Sequence, residues 1–146
     1  MLSQRLLVIA ILLPVGVFLV AIGGIPLYIF FSLILALSVW EYGNLFEKGG
    51  WKPWKLLAII SVIGIALLRS FYQFQYAPEL VALITMSAMA FHLIQYEKGR
   101  SEAAVDFCIT LGGVLYIGWL GSYLISLRNL PDGLWWFFLV LPSAWA

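Results

Sequence analysis

The sequence has little charge, one cysteine and one histidine. Charged residues make up 10% of its 146 positions, and the formal net charge is +1. Because about a quarter of the residues in soluble domains are charged, this composition excludes an ordinary soluble domain. The lone cysteine, Cys108, excludes an internal disulfide. No basic run is interleaved with aromatic residues, so we expect no nucleic-acid partner.

The sequence motifs of many soluble enzymes are also missing. There is no P-loop, no glycine-rich dinucleotide turn, no nucleophile elbow and no spacing typical of zinc ligands. The residues alone therefore identify no catalytic residue and no metal ligand, and they leave the activity undetermined.

Hydrophobic residues dominate instead, at 64% of the chain with a mean hydropathy of +1.03. The apolar runs are about 20 residues long and lack the alternation of barrel strands, so they favour helices that span a bilayer. We predict an all-α, polytopic transmembrane protein. In this prediction, residues 1–146 form a single helical region with about six spans.

The first two spans are predicted to form a hairpin that turns at Gly23 and Gly24. Pro26 would lie in the first turn of the second helix, where its missing N–H costs little. Pro14 would lie within the first span, where membrane helices tolerate a kink. A cleaved secretory signal is the alternative. We reject it because the first apolar run is long enough to span and a second follows at once.

Two charged loops, residues 41–55 and 97–102, separate the later spans. Ser101 is the expected N-cap of the fifth helix. The third to sixth spans are predicted at residues 56–71, 79–96, 101–127 and from 134 onwards. The sixth has 13 residues up to position 146, about 20 Å of helix, whereas a bilayer core is about 30 Å thick. We therefore expect the sequence to be the amino-terminal part of a longer protein.

The basic residues predict the orientation of the spans. Six of the eight lie on one side of a six-span arrangement and two on the other. The six are Arg5, Lys48, Lys52, Lys55, Lys98 and Arg100, and the two are Arg69 and Arg128. By the positive-inside rule, the amino terminus and both charged loops are cytoplasmic. The sixth helix would then emerge into the cytoplasm just beyond Ala146.

Several polar residues in or beside the spans are candidates for function. His92 is interpreted as a neutral histidine hydrogen-bonded between helices, because no second histidine accompanies it as a metal ligand. Glu41 is interpreted as a boundary carboxylate, solvated or paired with Lys48 or another basic residue; the alternative is a ligand for a cation or a lipid head group. Glu102 and Asp106 share one helix face, a spacing that would suit a divalent cation. Their position at the start of the fifth helix is an equally simple explanation, because carboxylates interact favourably with the positive end of the helix dipole.

Small residues recur at helical spacing at Gly118, Ser122 and Ser126. Such a stripe lets two helix backbones approach closely, so we favour helix packing as its explanation. The alternative is a groove, opened by the missing side chains, that holds an acyl chain.

Three segments carry a family resemblance: Arg5 before the apolar span, Glu41–Tyr42 at the end of the second helix, and GVLYIG at residues 113–118. In this order they resemble the amino-terminal part of bacterial phosphatidate cytidylyltransferases, the CDP-diacylglycerol synthases. The resemblance covers essentially all 146 residues.

The resemblance implies transfer of CMP from CTP to phosphatidate, giving CDP-diacylglycerol and pyrophosphate, with Mg²⁺ as the cofactor. The metal ligands and nucleotide-binding residues of the family lie in a carboxy-terminal part that this sequence does not contain. We therefore carry over no catalytic residue and no metal ligand, and expect these 146 residues alone to be inactive. The resemblance also implies that a homodimer is possible.

What the sequence would then supply is a membrane scaffold that holds the lipid substrate. Our hypothesis is that Glu41, Tyr42, Gly118 and Ser122 line or support the lipid cavity. The competing hypothesis is a non-enzymatic membrane protein, such as part of a transporter or an assembly subunit, in which Pro14 marks a broken helix.

Overall fold

The computed structural model describes residues 14–73 and 75–145, and no strand occurs among them. We number the helices in chain order, with α1 for the helical stretch at residues 14–22. The others are α2 (Gly24–Lys48), α3 (Lys55–Phe71), α4 (Ala77–Glu97), α5 (Ala103–Gly113), a π-helical segment (Val114–Leu120), α6 (Gly121–Arg128) and α7 (Gly133–Trp145). The all-α prediction is confirmed.

Three helical stretches are long and apolar enough to cross a membrane. They are α2, α4 and the continuous run Ala103–Arg128, which joins α5, the π-helical segment and α6. Their apolar side chains are mostly not covered by the protein: 22% of the apolar window is buried in α2 and in α4, and 39% in Ala103–Arg128. Such exposed apolar faces are typical of helices that contact lipid.

The predicted boundaries of the middle spans are close to those observed. Helix α3 begins one residue earlier than predicted, and α4 extends beyond its predicted ends by two residues at its start and one at its end. Arg5 and Ala146 lie outside the described residues. Pro14 is the first residue of the described part of α1. The residues on the amino-terminal side of the predicted kink therefore lie outside the described ranges.

The predicted turn between the first two helices is present. Gly23 and Gly24 have φ values of 70° and 62°, a conformation that favours glycine. The Arg128 side chain packs against this turn, and its Nε donates to the carbonyl of Val20 at 2.7 Å. The last carbonyls of α1 are therefore capped by a side chain from α6. As predicted, Pro26 lies in the first turn of α2.

The prediction of Ser101 as the N-cap of the fifth helix was wrong. Helix α5 begins at Ala103, and Glu102 is its N-cap residue, without a side-chain capping hydrogen bond. The physical reason is the turn at Gly99, which has a φ of 92°. After this turn, the first helical backbone bond runs from the Asp106 amide to the Glu102 carbonyl, at 3.0 Å. The helix therefore starts one residue later than predicted.

The core lies where α2, α3 and the Ala103–Arg128 run meet. The side chains buried there are aliphatic, as expected for packing between membrane helices. They include Leu27, Leu35, Val39, Val62, Ile65, Val114 and Ile125.

This packing brings the connecting segments together in two groups at opposite ends of the molecule. At one end, the loop after α2 meets the loop after α4, and Arg100 Nη2 donates to the Gly50 carbonyl at 3.3 Å. At the other end, the α1–α2 turn meets the segment after α6, and the Tyr28 hydroxyl donates to Asn129 at 3.1 Å.

Candidate functional site

The two charged loops meet over the start of α5, where Asp106 holds them. The Asp106 side chain is buried, and its Oδ1 accepts the backbone N–H of Lys52 at 2.7 Å. Both of its oxygens also accept from Arg100, Oδ2 from Nε and Oδ1 from Nη2 at 3.1 Å. The hydrogen bonds to Asp106 are the largest reason why the pKa of Arg100 lies above its usual value. One carboxylate therefore fixes both loops.

This arrangement decides whether Glu102 and Asp106 could share a divalent cation, the alternative to their explanation by the helix start. Glu102 is exposed at the helix start, whereas the Asp106 oxygens are directed at Arg100 and at the Lys52 amide. Within residues 14–73 and 75–145, no group of three or more His, Cys, Asp or Glu side chains could hold a metal ion. Glu102 and Asp106 therefore do not form a pair of free carboxylates for a divalent cation.

Thr110, one turn after Asp106, holds the same loop at a second point. Its hydroxyl donates to the Asp106 carbonyl at 2.8 Å and accepts the Trp54 backbone N–H at 2.9 Å. His92 Nε2 lies 3.1 Å from the same oxygen. The tautomer with its proton on Nε2 fits this contact, because the hydroxyl directs its only proton to the Asp106 carbonyl. The predicted hydrogen bond of His92 between two helices is present, and it joins α4 to α5.

Between the two loops lies an open cavity of about 600 Å³, which we call the basic pocket. Its cationic residues are Lys52, Lys98 and Arg100, and the carboxylate of Asp106 lies at its base. Trp54 and Phe91 form an aromatic wall, with their rings stacked at a centroid distance of 4.1 Å.

The pocket carries a positive charge that its own residues do not neutralise. Three cations and one carboxylate leave a formal charge of +2. Asp106 is bound by Arg100, and no carboxylate of the described ranges forms an ion pair with Lys52 or Lys98, both of which are exposed. Chemically, such a pocket attracts anions and suits phosphate in particular.

The predicted site residues of α2 lie elsewhere. Glu41 is exposed and has no ion pair within the described part of the chain. The suggested pairing with Lys48 is not observed; instead, Glu47 pairs with Lys55 at 2.6 Å. Tyr42 packs against the Ala103–Arg128 run, where a Cβ added to Gly113 would lie 2.9 Å from the tyrosine ring.

The stripe of small residues faces α3. Gly118 is buried, and a Cβ added there would lie 2.7 Å from Val62 Cγ2. The hydroxyls of Ser122 and Ser126 each accept a hydrogen bond of 3.2 Å from Arg69. Close helix packing, the favoured interpretation of the stripe, is therefore what the structure shows.

The Arg69 side chain is buried at the α3–α6 interface, although the sequence placed it only by its charge. Its guanidinium carbon lies 3.9 Å from the ring centre of Tyr123, which indicates a cation–π contact. An apolar groove of about 500 Å³ lies beside the stripe and is lined by Gly112, Tyr116 and Trp119 among others. Neither Gly118 nor Ser122 lines this groove.

None of the four predicted lipid-cavity residues lines the basic pocket. Their role stays a prediction. Conversely, Lys52, Lys98 and Arg100 were predicted only to set the orientation, and their grouping into one pocket was not predicted. The sequence does contain a signal for this pocket. Loops on the same side of alternating spans can meet, and each of the two charged loops contains basic residues.

The chain matches the profile of a known family. The profile of the cytidylyltransferase family matches residues 3–146 and so includes every element described above. Comparison with curated proteins and with solved structures gave no match. The match confirms the resemblance found in the sequence and supports a nucleotidyl transfer that uses CTP. The chain belongs to the cytidylyltransferase family.

Proposed function

We propose that this protein takes part in the transfer of CMP from CTP to phosphatidate, which yields CDP-diacylglycerol and pyrophosphate for phospholipid synthesis. The observation that carries the proposal is the family match over residues 3–146 in a chain with three helices able to cross a membrane. An enzyme embedded in a bilayer reaches a lipid acceptor directly. A lipid phosphate is therefore the acceptor that best fits both observations.

In this proposal, the chain contributes binding and positioning and no catalytic residue. The reaction joins the lipid phosphate to the α-phosphorus of CTP, and two anionic groups must approach each other for this to happen. Positioned positive charge lowers the cost of that approach. The basic pocket supplies such charge at the end of α4 and the start of α5. A requirement for Mg²⁺ is part of the proposal, with ligands other than the residues described here.

The four residues predicted for the lipid cavity enter the proposal in two roles. Glu41 and Tyr42 lie near the end of α2, at the same end as the basic pocket, where a lipid head group would approach. Gly118 and Ser122 support the wall of the lipid cavity by letting the π-helical segment and α6 pack closely on α3.

The proposed location is a bacterial inner membrane with the basic pocket on the cytoplasmic side. A homodimer is a further part of this proposal.

The direct test is an assay with α-labelled CTP and phosphatidate in mixed micelles, using protein expressed from its complete reading frame. We expect label in CDP-diacylglycerol and equimolar release of pyrophosphate. Label transferred to a different acceptor, with none on phosphatidate, would reject the lipid assignment. The same 146 residues expressed alone are expected to transfer no label.

Glu41→Ala tests the lipid-cavity hypothesis in the same assay. We expect a higher KM for phosphatidate and little change in the KM for CTP. Glu79→Ala is the matched control, because Glu79 is an exposed carboxylate in the first turn of α4, at the other end of the molecule. Equal KM values for phosphatidate in wild type and Glu41→Ala would remove Glu41 from the lipid site.

A further inference from the structure

The basic pocket lies where two long apolar helical stretches meet the charged loops. It is lined by residues from the end of α4 and the start of Ala103–Arg128, both of which are long and apolar enough to cross a membrane. The stacked Trp54 and Phe91 rings form its wall, and aromatic side chains favour the boundary between hydrocarbon and water. A ligand in this pocket is therefore in reach of the bilayer surface.

Its cations differ in the contacts that they make. Lys52 and Lys98 are exposed, and their ammonium groups make no hydrogen bond within residues 14–73 and 75–145. Arg100 is fixed by Asp106 and by the Gly50 carbonyl through Nε and Nη2. The two N–H groups on its Nη1 have no acceptor in the described part of the chain. One oriented donor pair and two flexible ammonium groups can together surround the oxygens of a phosphate.

Two hydrogen bonds tie the backbone of the loop after α2 to side chains of α5. Asp106 and Thr110 accept the backbone N–H groups of Lys52 and Trp54, at 2.7 and 2.9 Å. The positions of these residues are therefore set by the backbone of the loop and do not depend on their own side chains. Truncating the Lys52 side chain leaves its backbone hydrogen bond in place.

We propose that the basic pocket binds the phosphate of a membrane lipid, with Lys52 and Lys98 as mobile ligands and Arg100 as the fixed one. A phosphomonoester carries between one and two negative charges near neutral pH, so it suits a pocket of charge +2 better than a singly charged diester does. Phosphatidate is the lipid of this class, and naming it rests on the proposed function. The site itself rests on the geometry alone.

The test is native mass spectrometry of the full chain in detergent, titrated with phosphatidate or with phosphatidylglycerol and without CTP. We expect tighter binding of phosphatidate. The double variant Lys52→Ala/Lys98→Ala should weaken phosphatidate binding by about thirtyfold, because two cations are lost. Lys52→Arg/Lys98→Arg should restore most of it. Lys48→Ala is the matched control, because Lys48 is an exposed lysine at the same end that does not line the pocket.

Two results would overturn the proposal. One is phosphatidate binding that is unchanged in the double alanine variant, while circular dichroism shows the wild-type helix content. The other is loss of CTP binding in that variant with phosphatidate binding intact, which would assign the pocket to the phosphates of the nucleotide.

Together with the turnover assay, the binding experiment distinguishes failure of this site from failure of the proposed function. Lysine-dependent binding of phosphatidate in a protein that transfers no CMP would keep the site and reject the function. Turnover of phosphatidate with lysine-independent binding would keep the function and reject the site.

Discussion

Arg100 and Asp106, six residues apart, form a two-point ion pair across the junction between a loop and a helix. The Nε and Nη2 groups of Arg100 donate to the two carboxylate oxygens of Asp106. The Asp106 side chain is 1% exposed and that of Arg100 22%. A carboxylate this buried needs compensating donors, because an unpaired charge would be costly. Since Asp106 also accepts the Lys52 amide, this pair sets the shape of the basic pocket.

We therefore expect Asp106→Ala to loosen both loops. The variant removes the acceptor of Arg100 and of the Lys52 N–H, at a cost of about 2–3 kcal/mol in the free energy of unfolding. Asp106→Asn should cost less, because its side-chain oxygen still accepts one of these hydrogen bonds. Thermal unfolding in detergent, followed by circular dichroism, measures both.

Asp132→Asn is the control for these substitutions. Asp132 is exposed and has a φ of 57°, a conformation that asparagine also tolerates. We expect no change in its unfolding temperature. An unfolding temperature of Asp106→Ala equal to that of this control would contradict the role assigned to the ion pair.

Thr110→Val tests the second attachment of the loop. Valine has nearly the same shape but lacks the hydroxyl, so the Trp54 N–H and His92 Nε2 lose their partner. The expected cost is about 1–3 kcal/mol, because buried donors are left unsatisfied. Hydrogen exchange should accelerate at the Trp54 amide. Thr110→Ser keeps the hydroxyl and should exchange like wild type; equally fast exchange in both variants would reject the assignment.

Gly118→Ala tests the close approach of the π-helical segment to α3. The added methyl group would lie 2.7 Å from Val62 Cγ2, so the helices must separate, at a cost of about 1–3 kcal/mol. The double variant Gly118→Ala/Val62→Ala should recover part of this loss, since it removes the methyl group that clashes.

Gly64→Ala is the matched glycine substitution in α3. Its added methyl group would meet Leu80 Cδ2 at 3.9 Å, an ordinary contact. We expect neutral or slightly raised stability, because alanine favours a helix over glycine. The unfolding temperatures of wild type, Gly118→Ala, the double variant and Gly64→Ala test this expectation. Equal losses at positions 64 and 118 would show that close packing against Val62 is not the cause.

The orientation in the membrane is tested by cysteine labelling, which the single native cysteine makes simple. In a Cys108→Ser background, we introduce Ser101→Cys in the charged loop or Pro131→Cys in the α6–α7 turn, both at exposed positions. An impermeant maleimide should label position 131 in intact spheroplasts and position 101 only after permeabilisation. The reverse pattern would place the basic pocket on the outer side.

Much of the fold follows from local sequence. Apolar runs of spanning length predicted helices, and paired glycines predicted the turn at residues 23 and 24. These features depend on hydropathy and on backbone conformation, both of which are properties of adjacent residues. The start of the fifth helix was predicted one residue too early, because Ser101 is a good capping residue by type. Whether it caps depends on the turn at Gly99 before it.

The candidate site was much less predictable. Glu102 and Asp106 are equivalent by spacing, yet one is exposed and the other is held by Arg100. Local spacing cannot distinguish them, because the difference depends on a loop that lies about 50 residues earlier in the chain and packs beside only one of them. For the same reason, local sequence did not predict that Lys52 and Lys98 line one pocket.

By itself, the sequence determined a helical membrane protein, the approximate limits of its helices and a resemblance to one family. These follow from hydropathy, helix length and motif order, which need no knowledge of contacts between distant residues. Only the tertiary structure decided that two loops meet at Asp106, that Thr110 joins His92 to the Trp54 amide, and that three cations share one pocket. Such groupings arise from helix packing, which brings residues about 50 positions apart to within hydrogen-bonding distance.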